Sequence, residues 1–290
     1  MVGRHRVMDA TLVYVAIDPE RDRTGMNQIG TQRTGSSDRV RKDAYNGQSA
    51  PARQAGQQGN RHAQPGRLPI VTVDVADIPG GGRLHLLQCG REFSIQFGQD
   101  ELMGSQDHLS EMALATLTSE RLARKDGHVL IGGLGMGFTL DAALKAWMPG
   151  ARVTVAELVP KIVSWAIGPL AHLFGNNLAD PRVQIRLTDV FDVISREKAY
   201  FDAILLDVDN GPDGFINTAN DRLYSEGGLA AAHAALKPGG LLSIWSSYGD
   251  DAFADRLERV GFSVDEIVMP AYVGSTERWH NIWFAAKAAA

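Results

Sequence analysis

Cysteine is almost absent from this 290-residue chain, with Cys89 standing alone. A single cysteine excludes an intramolecular disulfide and a cysteine-based zinc centre. No apolar run approaches the length of a membrane span, and the N-terminus has no compact apolar segment of the secretory type. A cytoplasmic, metal-free protein that does not use a membrane is the expectation. A surplus of positive charge is also lacking, because the formal net charge is −5. The imbalance is uneven: residues 1–67 hold eleven Lys and Arg against six Asp and Glu, and the rest eighteen against twenty-eight. An acidic body is a poor match for a phosphate backbone. A small, cationic molecule is therefore expected as partner, and nucleic acid is not.

Aromatic residues are scarce at the start. Between Val15 and Leu68 the only one is Tyr45, and Gly, Gln, Arg, Ser and Asn dominate. Such a stretch cannot bury enough apolar surface to offset its ordering entropy. Residues 1–67 are accordingly expected to be a disordered extension, with one isolated strand-like segment at Thr11–Ile17. Internal repeats are lacking too.

The remaining sequence is strongly patterned. Pro69–Ile78 alternates apolar and polar residues, a glycine-rich turn follows at Pro79–Gly82, and two more short strands are expected at Leu84–Cys89 and Glu92–Phe97. This spacing predicts a small antiparallel β domain over residues 68–100. An amphipathic helix over Asp107–Ala123 comes next. From His128 strands and helices alternate, with strands near 128–132, 151–156, 182–187, 201–207, 240–246, 263–268 and 280–286. Alternation of this kind predicts an α/β fold with a doubly wound, mostly parallel seven-stranded sheet, occupying residues 101–290. Such sheets bind ligands outside the carboxyl ends of their strands.

The most informative segment is Val129–Gly137. A buried strand runs into Gly133, Gly135 and Gly137, and an apolar helical pattern resumes at Thr139. Glycine is needed where the chain turns sharply and where a ligand approaches the backbone. Free N–H groups at the new helix's start suit polar or anionic ligand atoms. The next strand, Arg152–Glu157, ends in an acid, the position from which a carboxylate accepts hydrogen bonds from ribose hydroxyls.

Acids recur along the same rim. Asp189 follows the third strand, and Asp207 and Asp209 follow the fourth. A single strand-end carboxylate is more often a loop solvator or helix cap than a ligand. Three successive strands ending in acids point to a site. Glu157 suits a ribose diol, and Asp189 an exocyclic adenine amine. Asp207 suits a general base or an anchor for a cationic amine. Asp209 fits either the shell around that group or a loop cap, and Asn210 reads as a turn residue. Tyr224 is a pocket-lining candidate, with helix-start packing as its alternative. His108 and His280 lack partners at metal-ligand spacing, and Trp245, Trp279 and Trp283 read as core.

Taken together, Val129–Phe138, Glu157, Asp189, Asp207 and Leu236–Gly240 resemble the spermidine synthase-like branch of the class I S-adenosylmethionine-dependent methyltransferase superfamily. The likeness covers about residues 68–287 and implies a Rossmann-like fold. The donor it implies is S-adenosylmethionine or its decarboxylated form, with no metal. Gly133, Gly135, Met136, Gly137, Glu157 and Asp189 become the donor-binding set. Asp207 and Asp209 become catalytic, with Glu111, Asp209 and Tyr224 toward the acceptor. Three departures stand out. The family's glycine-loop aspartate, which holds the donor ammonium, is Met136 here. Its Tyr-His-Glu is Leu109-Ser-Glu111, and its D-S-S-D-P-x-G-P is shortened to Asp207–Pro212.

These departures favour methyl transfer from intact S-adenosylmethionine to a small, amine-bearing acceptor. Aminopropyl transfer to a polyamine is the first alternative, and a non-catalytic nucleoside-binding protein is the second. A homodimer is left open.

Overall fold

A computed structural model of the chain describes residues 5–7, 68–208, 211–212 and 222–289. Asp209, Asn210 and the Thr11–Ile17 segment lie outside the described residues, as does the rest of the N-terminal extension. The exception in that extension is β1 (His5–Val7), which pairs in parallel with a strand near the C-terminus.

The small sheet has four strands in sequential antiparallel order: β2 (Ile70–Asp77), β3 (Arg83–Cys89), β4 (Glu92–Phe97) and β5 (Asp100–Gly104). Positive-φ glycines at Gly82 (φ 87°) and Gly90 (φ 64°) make its first two turns. The fourth strand was not expected. Asp100–Gly104 is short and half polar, so its sequence gives no alternation to read.

Helix α1 (Leu109–Arg121) links this sheet to the large one. The large sheet alternates β6 (His128–Gly132), β7 (Arg152–Glu157), β8 (Val183–Leu187), β9 (Phe201–Leu206) and β10 (Leu236–Ser246), then closes with β11 (Ser263–Pro270) and β12 (Trp279–Ala286). Its order is β1-β11-β12-β10-β9-β6-β7-β8. Strand β12 runs antiparallel to both β10 and β11, and the other pairs are parallel. The predicted seven strands are present, and β1 adds a short edge.

The covering helices are α2 (Phe138–Ala146), α3 (Pro160–Ile167), α4 (Ala171–Phe174), α5 (Val190–Arg196), α6 (Glu226–Ala235) and α7 (Asp251–Val260). One helix was expected over 159–173, but it breaks after Ile167. Gly168 caps α3 and Pro169, which has no N–H to donate, follows it. The central strands are buried on both faces: all five residues of β6 are buried, as are Val153–Glu157 of β7. That sandwiching fits a parallel sheet with helices on each side. The order reverses at β6, between β9 and β7, so the carboxyl ends of these three strands face one crevice.

Candidate active site

Local backbone chemistry builds the crevice first. Gly133 adopts φ 89°, and a Cβ there would stand 2.3 Å from the Asp207 carbonyl oxygen. Only glycine lets the β6 and β9 strand ends close to this distance. The Asp207 N–H donates to the Gly132 carbonyl at 3.0 Å and so fixes that approach. Gly135 (φ 49°) leaves room for Met103 of β5, whose sulfur would be 2.9 Å from an added Cβ. Met103 thereby lays the small sheet over the glycine loop, and its sulfur accepts from the Met136 N–H at 3.2 Å.

Beneath that lid lies a cleft lined by Glu111, Gly133, Gly135, Glu157, Asp189 and Asp207, roofed by apolar residues of the small sheet and closed at one side by Trp245. Four acids and no Lys, Arg or His stand on its wall among the described residues.

Glu157 is held rigidly. One carboxylate oxygen accepts from the Leu134 N–H at 2.9 Å and the other from the Val159 N–H at 2.7 Å. Burial pushes its pKa up while these backbone donors pull it down. Lone pairs remaining on each oxygen can still accept from a diol. The loop N–H expected to be free for ligand is thus partly spent in orienting Glu157.

Asp189 combines both readings offered for it. It caps α5 through the Phe191 N–H at 2.8 Å, accepts from the Arg222 guanidinium at 2.7 Å, and lines the cleft. The other expected residues divide. Met136 is fully buried in the core and is not on the cleft wall, because the loop's left-handed glycines turn it inward. Gly137 starts α2 in the left-handed region at φ 84°, where a Cβ would strike the Phe174 ring at 2.4 Å; its role is to let the helix begin there. Tyr224 is core, with its ring edge-on to Phe253 and its hydroxyl donating to the Val208 carbonyl.

Glu111 and Asp207 are two buried acids of the cleft whose titration is displaced upward. Glu111 sits in the first turn of α1 and is 3 % exposed. Burial and then the nearby Asp207 charge raise its pKa to about 8. Burial likewise raises Asp207 to about 6, opposed by the hydrogen bond from the Thr139 hydroxyl. No salt bridge neutralises either carboxylate among the described residues. Two buried acids without a cationic partner among the described residues face one cavity, an arrangement that suits a cation.

Around them stand residues to which the sequence pattern gave no role in the site. Ser110 Oγ lies 2.7 Å from a Glu111 carboxyl oxygen and 2.8 Å from His280 Nδ1, and accepts from the Trp245 indole at 2.9 Å. These contacts join α1 to β10 and β12, and only the fold brings them together. No group of three or more metal-ligating side chains occurs among the described residues, and no described helix is long and apolar enough to cross a membrane.

Known proteins share this fold. The overall fold is similar to that of spermidine synthase from Thermotoga maritima, at 17 % identity over 76 % of this chain and 73 % of that one, with a TM-score of 0.62. A spermidine synthase in complex with the transition-state analogue AdoDATO is similar to the same extent, at 18 % identity, 76 % and 73 % coverage and a TM-score of 0.60. At these identities the solved structures establish the fold. No curated protein matches the sequence. Residues 106–248 match the family model described as the spermine/spermidine synthase domain, and the fold is class I methyltransferase-like.

Proposed function

We propose that this protein is an aminopropyltransferase that moves the aminopropyl group of decarboxylated S-adenosylmethionine to a small primary amine of the polyamine class. The buried Glu111–Asp207 pair carries the reading. Each carboxylate loses hydration on burial, and together they repel. An ammonium placed between them restores the lost interactions, and hydrogen bonds to charged groups are the stronger kind. The family match supports aminopropyl transfer over the methyl transfer that the glycine loop had favoured.

Met136 was the reason to favour intact donor, since it cannot grip an ammonium. Its burial in the core removes that reason, because a side chain turned away from the cleft bears on neither donor. A donor carboxylate, by contrast, would enter an acidic cleft with no basic residue on its described wall.

Roles follow from position. Glu157 holds the ribose, and Asp189 stands beside the base. The donor supplies an electrophilic carbon bonded to a sulfonium. Asp207, at the β9 tip, accepts a proton from the acceptor ammonium and frees the nitrogen lone pair. That lone pair forms the new C–N bond as the C–S bond breaks, and its electrons return to sulfur as a neutral thioether. Trp245 and the small sheet exclude water, and alignment contributes most of the acceleration.

Calorimetric titration with each donor tests the proposal. Decarboxylated S-adenosylmethionine is expected to bind about tenfold or more tightly than the intact form, the lower end of a charge-assisted hydrogen bond. Preference for the intact form overturns it.

A further inference from the structure

The Ser110 hydroxyl has one proton and two lone pairs, and it has three partners. Trp245 is donor-only and always occupies one lone pair, at 2.9 Å. One donor role and one acceptor role are left for Glu111 and His280. If Glu111 is ionised, Ser110 must donate to it, so His280 Nδ1 must carry the proton that Ser110 accepts. If Glu111 is protonated and donates, Ser110 must donate to Nδ1, so the imidazole proton sits on Nε2. When the carboxyl proton lies on the oxygen that faces Ser110, the protonation of Glu111 and the tautomer of His280 are therefore linked through one hydroxyl.

His280 also lines a second cavity, on whose wall Glu101, Asp107, Arg278 and Ser247 stand and which shares Glu111 and Trp245 with the main cleft. Among the described residues no hydrogen bond to its Nε2 is formed, and the residue stands on that cavity's wall.

We propose that Ser110 and His280 form a proton relay through which Glu111 discharges its proton toward the second cavity when a cationic amine enters the main cleft. Glu111 passes its proton to Ser110, Ser110 passes its own to Nδ1, and Nε2 releases one to water. One proton leaves, and the products are an ionised Glu111 and a neutral imidazole. His280 is a positioning residue here, because it acts on the amine only through Glu111. This use of the relay rests on the amine-binding reading above, whereas the linkage between Glu111 and the tautomer does not.

The groups facing His280 fit this role. Arg278, two residues earlier on the approach to β12, is paired with Asp107 at 2.8 Å. Glu101 comes from β5 and Glu111 from α1, with Asp207 beyond it. The neighbouring strands present Trp245 and Ser247 from β10 and Met269 from β11, none of them charged. Burial and Arg278 lower the His280 pKa to about 4, so the ring stays neutral across the working range and only its tautomer varies.

Nitrogen-15 NMR of histidine-labelled full-length protein reads the tautomer directly, with the His280 signals assigned from His280→Gln. In wild type the dominant His280 species should change from Nε2–H to Nδ1–H as pH rises through about 8, where Glu111 ionises. Adding 1,4-diaminobutane at pH 7 should produce the same change. In Glu111→Gln the His280 tautomer should not depend on pH between 7 and 10, and Ser110→Ala should uncouple it in the same way. A wild-type tautomer that ignores pH overturns the relay, as does a change that persists in Glu111→Gln. Should Ser110→Ala fail to fold, wild type and Glu111→Gln decide the matter. A pH-driven change without a diamine-driven one would retain the linkage, reject its use by amines and count against the amine-binding reading. Failure of the linkage leaves that reading to its own donor titration.

Discussion

Replacing Glu111 with glutamine removes one of two buried acids while keeping the shape of the side chain. In the folded protein Glu111 is held protonated up to about pH 8, against an ordinary value of 4.5. A raised pKa favours the protonated folded state. Its stabilising contribution is complete below about pH 4.5 and is lost as pH rises through about 8. Each unit of difference corresponds to about 1.4 kcal/mol, so the loss is on the order of a few kcal/mol with a ceiling near 5 kcal/mol. Glutamine does not ionise and escapes this loss. Thermal melts of the ligand-free proteins should nearly coincide at pH 5. At pH 9 the variant should melt higher, by about 2–4 °C for each kcal/mol in a domain of this size. Diamine should stabilise wild type more than the variant. A melting difference that stays constant from pH 5 to 9 refutes the reasoning, because Glu111 would then ionise as it does in water.

Two substitutions probe the rest of the cleft. Glu157→Ala should weaken binding of adenosyl ligands by about 1.5–3 kcal/mol while leaving the protein folded, as read by calorimetry and circular dichroism. Met136→Asp places a carboxylate in the core rather than in the cleft, so it should destabilise the protein by several kcal/mol instead of changing donor preference, as read by denaturant titration.

Which parts were legible in the sequence follows from how local their causes are. The strand–helix alternation and the acids at three strand ends depend on short-range pattern, and the elements fall within a few residues of their expected places. Asp189 illustrates a limit: its strand-end position was visible, but its division between capping α5 and lining the cleft depends on Arg222, far away in sequence. Met136 illustrates another. Its place in the glycine loop was clear, yet the direction of its side chain is set by left-handed turns at Gly135 and Gly137 and by Met103 arriving from the small sheet. Ser110, Thr139, Trp245 and His280 were invisible as a group because their hydrogen bonds span long separations. His280, read as structural for want of a nearby metal-ligand partner, meets Ser110 across 170 residues.

Product analysis after incubation with either donor and a panel of small amines tests the central claim most directly. Aminopropyl transfer predicts methylthioadenosine together with an amine enlarged by one aminopropyl unit, formed from the decarboxylated donor alone. S-adenosylhomocysteine and a methylated product, formed from intact S-adenosylmethionine, would contradict it.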